Sequence, residues 1–179
     1  MKKEKILIFA YVGAGKTEAE KRYKNVIDLE SHDYIYTYDK SIAHWPLEKR
    51  KGNANLRTIN PEYPTNFINA TLLALETGKL VLTTFVEHAF NSLTSEEFKS
   101  QAPDVRVILV CPEYNNFEEY ADRFRARGNS ENVVVRRRTE HDLTMNLFKN
   151  AKSYEKIIIQ PGQFLDDALI KYGIKLESR

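Results

Sequence analysis

The chain has 179 residues, 42% of them hydrophobic, and its 27 Lys and Arg against 25 Asp and Glu leave a formal net charge of +2. That length fits one domain with a substantial core, and the near balance of charge does not demand a nucleic-acid partner. No apolar run reaches the roughly 20 residues that a membrane span needs, and Cys111, the only cysteine, excludes an internal disulfide, which fits a reducing, cytoplasmic setting.

The charged stretch Met1 to Lys5 leads into an apolar run too short for a signal peptide, with no A-x-A-like cleavage site after it. Ile6 to Tyr11 (ILIFAY) therefore reads as a buried strand, Lys16 to Tyr23 as a helix and Asn25 to Glu30 (NVIDLE) as a second strand. Residues Ser31 to Asn60 fit neither pattern. They are polar and aromatic, hold Trp45-Pro46 and the basic stretch Lys49-Arg50-Lys51, and read as an excursion that closes over a substrate. Pro61 to Thr77 reads as a helix with Phe67, Leu72, Leu73 and Leu75 on its apolar positions and Gly78 as its C-cap. Leu80 to Phe85 (LVLTTF) is the third strand. Thr94 with Glu97 matches a capping box that opens a helix towards Gln101. Val105 to Val110 and Lys156 to Gln160 complete five strands, with helices over Phe117 to Arg127, Thr139 to Tyr154 and Phe164 to Tyr172. Continuous β-branched and apolar strands alternating with helices predict an α/β fold around a parallel sheet covered on both faces. With no repeat, low-complexity stretch or flexible linker, residues 1–179 read as a single domain.

The turn after the first strand carries the chemistry. Ala10-Tyr11-Val12-Gly13-Ala14-Gly15-Lys16-Thr17 matches G-x-x-x-x-G-K-[ST] at every fixed position but the first, where alanine stands for glycine. Small residues (Gly13, Ala14, Gly15) let successive backbone N–H groups turn inward around phosphate oxygens, and the following helix adds its positive end. Lys16 is expected to reach the β- and γ-phosphates of ATP, and the Thr17 hydroxyl to complete the shell of Mg²⁺. If the first position requires a positive φ, Ala10 costs about 1 kcal/mol there.

With this loop, the Cys111-Pro112 exit of the fourth strand and the stretch Glu118-Glu119-Tyr120-Ala121-Asp122-Arg123-Phe124-Arg125-Ala126-Arg127-Gly128-Asn129, the chain resembles the P-loop nucleoside and nucleotide kinases. These are the adenylate-kinase-like phosphotransferases, and the R-x-x-x-R-G-N pattern resembles the small phage-type deoxynucleotide kinases in particular. The resemblance implies a three-layer P-loop NTPase fold, a five-stranded sheet of order 2-3-1-4-5, and an arginine-bearing helical lid over 113–138. It further implies transfer of the ATP γ-phosphate, with Mg²⁺, to a nucleoside or nucleoside monophosphate.

Arg123 and Arg127 are four apart, so a helix sets them one turn apart on one face, where two guanidinium groups can clamp a transferring phosphoryl group; the alternative is a Glu119–Arg123 pair on an exposed helix. Arg125 points elsewhere. Asp28 and Glu30 share a face at the carboxyl end of the second strand, and Asp28 is the preferred metal- or acceptor-organising acid. The third strand ends in Thr83-Thr84-Phe85-Val86-Glu87, without the aspartate of a motor ATPase or signalling GTPase. Arg136, Arg137 and Arg138 spread around a helix, so at most one faces a ligand. Tyr34, Tyr36, Tyr38 and Trp45 either stack on a base or pack. The four histidines lack metal-ligand spacing, and Cys111 reads as structural. Two other functions remain compatible: a kinase of a nucleic-acid end or modified DNA, and a nucleotide-binding regulator without transfer activity.

Overall fold

The computed structural model describes residues 4–46, 49–50 and 53–179. In chain order the elements are β1 (Lys5–Ala10), α1 (Lys16–Arg22), β2 (Val26–Asp28), α2 (His32–Ile35), β3 (Tyr36–Tyr38), β4 (Arg57–Ile59), α3 (Thr65–Glu76) and β5 (Leu80–Thr84). There follow α4 (Glu87–Leu93), α5 (Glu96–Gln101), β6 (Val105–Pro112), α6 (Phe117–Ala126), α7 (Glu131–Asn150), β7 (Glu155–Ile159) and α8 (Leu165–Lys171).

Five strands pair in parallel in the order β2-β5-β1-β6-β7. Counted over the sheet alone this is 2-3-1-4-5, the order the resemblance implied. Leu7, Ile8 and Phe9 of β1 are all fully buried, as are Val81, Leu82 and Thr83 of β5. Consecutive residues of a strand point to opposite faces, so both faces of the sheet are covered. The parallel register aligns Ala10 with Thr84 and with Val110. The chain leaving each strand therefore emerges at one edge, where the loop after β1 lies.

Several expectations from the sequence are corrected. The helix expected over Thr139 to Tyr154 runs instead from Glu131 to Asn150. The run Val133-Val134-Val135 disguises its start, because β-branched residues have modest helix propensity; burial of Val134 on the core overrides that preference. Helix α3 begins at Thr65, after a turn at Pro61 to Pro64. A short helix, α4, follows β5 where none was expected. Helix α5 is capped by Ser95, whose Oγ accepts from the Phe98 N–H at 3.2 Å, while the Thr94 hydroxyl donates to the Phe90 carbonyl at 2.7 Å. Ser95→Ala is accordingly expected to cost about 1 kcal/mol in urea unfolding, and Thr94→Ala less.

The excursion after β2 holds a small antiparallel pair, β3 with β4, that places Tyr38 opposite Arg57. The Arg57 guanidinium lies over the Tyr36 ring at 4.1 Å and that of Arg50 over the Tyr38 ring at 4.7 Å. Lys49 covers Trp45 at 4.3 Å, and Tyr34 packs on Phe67 with centroids 5.2 Å apart. Lys51 of the basic stretch lies outside the described residues.

Candidate active site

The phosphate-type loop leaves β1 at its buried end. The Tyr11 N–H donates to the Val110 carbonyl at 2.9 Å and the Ala14 N–H to the Tyr11 carbonyl at 3.1 Å, which folds the loop back over the sheet edge. Gly13 and Gly15 take the left-handed backbone, at φ +82° and +106°. Ala10 belongs to β1, and among the described residues no side chain other than glycine's sits at positive φ. The departure at the first motif position is therefore free of backbone strain.

Lys16 opens α1 and is buried, only 8% exposed. The Thr17 hydroxyl donates to Oδ2 of Asp28 at 2.9 Å. Asp28 Oδ1 is also shielded from solvent and has no hydrogen-bond partner. Burial raises the Asp28 pKa; the Lys16 charge and the Thr17 hydrogen bond oppose the rise, and Glu30 and Glu20 add to it. The structure thus brings together Lys16 and Thr17, read from the sequence as one motif, and Asp28, read apart from it. Glu30 stands within electrostatic reach of Asp28 and of His88.

Helix α6 forms a wall of the loop. Its Phe117, Tyr120, Ala121 and Phe124 are buried, and the Phe124 ring approaches Gly13 so closely that an added Cβ would lie 2.8 Å from Cε1. Phe164, after β7, lies beside Gly15 at 3.4 Å from such a Cβ. Arg123 turns inward. It pairs with Glu119, donates to the Gln163 carbonyl at 2.7 Å and stacks over the Phe164 ring at 4.2 Å and the Tyr120 ring at 4.6 Å. Its Nη1 is buried and unpartnered. Glu119 in turn accepts from the Gly162 N–H at 3.0 Å, tying α6 to the β7–α8 loop. Arg127 is exposed at the C-terminus of α6, and its charge bears on Glu18 in the first turn of α1. Arg125 binds Glu131 and Asp122, away from the loop.

The three consecutive arginines are engaged: Arg136 and Arg137 pair with Glu140, and Arg138 with Glu118. Cys111 is fully buried, and burial pushes its thiol well above the usual range. No group of three or more His, Cys, Asp or Glu able to hold a metal ion occurs among the described residues.

Sequence reasoning missed the supports of the loop. Tyr11 packs edge-on against Tyr120 with centroids 4.9 Å apart, and its hydroxyl lies 2.9 Å from His141 Nδ1. His141 Nε2 is 2.9 Å from the Tyr114 carbonyl, which can only accept, so Nε2 donates there and Nδ1 faces the Tyr11 hydroxyl. His141 lies 130 positions from Tyr11, and no local pattern announces such a pair.

Asp28→Asn is expected to keep the fold while raising the Mg²⁺ concentration needed for half-maximal turnover about 10- to 100-fold. A Mg²⁺ titration of activity checks it; an unchanged midpoint would remove Asp28 from the site.

No family model matches the chain, and no curated protein matches it. A tunicamycin resistance protein from Deinococcus radiodurans is similar in structure over 97% of this chain and 98% of that one, with a TM-score of 0.54 at 15% identity. A gluconokinase from Sinorhizobium meliloti 1021 covers 94% of this chain and 89% of its own, at 12% identity and a TM-score of 0.47. That likeness is too loose to carry an argument. What the comparison with the first protein shows is the fold, an α/β architecture built around a five-stranded parallel sheet.

Proposed function

We propose that the protein is an ATP- and Mg²⁺-dependent phosphotransferase that moves the γ-phosphoryl group to a nucleoside or nucleoside monophosphate. The observation that carries this reading is the meeting of Lys16, Thr17 and Asp28 beside a loop whose glycines hold positive φ. Backbone N–H groups of Gly13, Ala14 and Gly15 cradle phosphate, and Lys16 offsets charge on the β- and γ-phosphates. A hard cation takes oxygen ligands, and the Thr17 hydroxyl beside the unpartnered Asp28 Oδ1 fits that requirement. Thr17 and Asp28 are the residues that would hold Mg²⁺, which when bound supplies charge neutralisation across the phosphates.

Arg123 and Arg127 flank the loop from α6. Arg127, exposed, is the one suited to reach phosphate oxygens; Arg123, held by Glu119 and the Gln163 carbonyl, braces α6 against the β7–α8 loop. In this reading residues 1–179 act as one domain, 31–60 cover the acceptor and 113–138 bear the arginines. An acceptor oxygen forms a bond to the γ-phosphorus as the bond to the bridging oxygen breaks; ADP leaves with the electron pair, and a hydroxyl acceptor gives up its proton to solvent.

Transfer from γ-labelled ATP with Mg²⁺, against nucleosides, nucleoside monophosphates and nucleic-acid ends, tests the proposal. A labelled small product that vanishes in Lys16→Ala is the expected result. Label on nucleic-acid ends alone would favour the polymer-end kinase, against which the ion pairs of Arg136, Arg137 and Arg138 weigh. Lys16-dependent ATP binding without transfer to any acceptor would leave a nucleotide-binding regulator.

A further inference from the structure

We infer that Glu20 is a positioning residue for the cation site, holding the Asp28 carboxylate in place through the Asp28 backbone; the inference rests on the phosphotransferase reading above. β2 is an outer strand of the sheet, only 3 residues long, and pairs with β5 so that Asp28 stands opposite Leu82. On that inner side the Asn25 carbonyl accepts from the Leu80 N–H at 2.8 Å, and the Leu29 N–H donates to the Leu82 carbonyl at 2.8 Å. Successive residues of a parallel strand turn their backbone N–H and C=O groups to alternate edges. With Asn25 and Leu29 facing β5, the Asp28 N–H faces outward, where no strand pairs among the described residues. An outward N–H on an edge strand lacks a ladder partner. Glu20 supplies one: its Oε1 accepts from the Asp28 N–H at 3.2 Å.

Helix α1 presents Glu20 for this task. Glu20 follows Thr17 by three residues, so the two project from one face of the helix, and both meet Asp28. Thr17 donates to Oδ2 at 2.9 Å and Glu20 takes the backbone N–H, which leaves Oδ1, shielded and without a hydrogen-bond partner, for the cation. The helix is itself fixed away from the phosphate loop. Arg22 pairs with Oδ2 of the buried Asp166 in α8 at 3.0 Å, the Tyr23 hydroxyl donates to the same oxygen at 3.2 Å, and Arg179 Nη2 donates to the Glu20 carbonyl at 3.3 Å. Thr17 and Asp28 therefore come from two elements, a helix and an edge strand. Mg²⁺ demands near-ideal octahedral geometry at short range, so the two elements must stay in register. With Mg²⁺ bound, the side-chain contact between Thr17 and Asp28 is shared with the cation. The Glu20 bond uses no atom that the cation takes, and it keeps strand and helix together throughout. The Glu20 charge would also attract a cation, and glutamine separates the two contributions because it keeps the acceptor and drops the charge.

The test follows melting of the full chain with a saturating, non-hydrolysable ATP analogue as Mg²⁺ is added. The Mg²⁺ midpoint of turnover and the affinity for the analogue in EDTA are measured alongside. Glu20→Ala removes the acceptor, Glu20→Asp draws it back by one methylene, and Glu20→Gln keeps an acceptor oxygen at the same reach. Both Mg²⁺ midpoints are expected to rise about tenfold or more in Glu20→Ala and to rise in Glu20→Asp. In Glu20→Gln they are expected to stay within about threefold of wild type, and analogue affinity in EDTA within about twofold in every variant. Midpoints unmoved in both Glu20→Ala and Glu20→Asp, or moved as far in Glu20→Gln as in Glu20→Ala, overturn the inference and leave the phosphotransferase reading standing. If Glu20→Ala loses its cooperative melting transition, Glu20→Asp against Glu20→Gln decides by the same comparison. Wild-type protein that neither turns over nor gains stability at any Mg²⁺ concentration overturns the phosphotransferase reading and this inference with it.

Discussion

Lys16→Ala is expected to lower turnover by about a thousandfold or more, because in the proposed function its ammonium offsets the charge of the transferring phosphate. The side chain is buried, yet its charge bears on Asp28 across the mouth of the loop rather than on the apolar core. Alanine is the strongest helix former, so the opening of α1 at residue 16 survives the change. Asp28 keeps its hydrogen bond from Thr17 at 2.9 Å but loses the cation that opposes its burial. A modest fall in melting temperature is therefore expected, with a cooperative transition retained. Two measurements separate the effects: calorimetric titration with ATP and Mg²⁺, and thermal unfolding without nucleotide. Unchanged ATP affinity in a folded variant would mean that the loop does not hold phosphate.

Much of the fold was legible because parallel strands covered on both faces write themselves as continuous apolar runs. ILIFAY and LVLTTF have no alternation to obscure. The loop was legible for a different reason: its residues are contiguous, so backbone freedom at Gly13 and Gly15 and the charge of Lys16 sit in one reading frame. Asp28 lies 11 positions from Thr17 and was found only through topology, as an acid at the carboxyl end of the strand expected near the loop. The α6 arginines show the limit of spacing. Their four-residue separation placed them one turn apart, but it said nothing of Phe164 and the Gln163 carbonyl, which draw Arg123 inward. At α7 three β-branched valines looked unlike a helix, and only packing of Val134 resolves them. His141 and Phe124 support the loop from more than 100 positions away, where no periodicity reaches.

Gly13→Ala is expected to destabilise the protein by roughly 2–5 kcal/mol, from two causes that can be separated. The left-handed backbone at φ +82° accounts for about 1–2 kcal/mol. The added methyl also meets the Phe124 ring at 2.8 Å and 3.3 Å, and in a packed core such a clash costs about 1–3 kcal/mol. Gly15→Ala shares the first cause but not the second, because its nearest neighbour is the partly exposed Phe164 ring at an ordinary 3.4 Å. Gly13→Ala should therefore unfold at lower urea than Gly15→Ala. Phe124→Leu, which removes the ring edge facing Gly13, should recover part of the loss in the double variant, with a coupling of about 0.5–3 kcal/mol. Equal destabilisation by the two glycine variants, or no coupling with Phe124, would show that α6 does not press on the loop. Nucleotide affinity adds a second reading of the same cycle. If stability returns in the Gly13→Ala/Phe124→Leu protein while ATP affinity does not, backbone conformation at Gly13, not the fit of α6, sets the phosphate cradle.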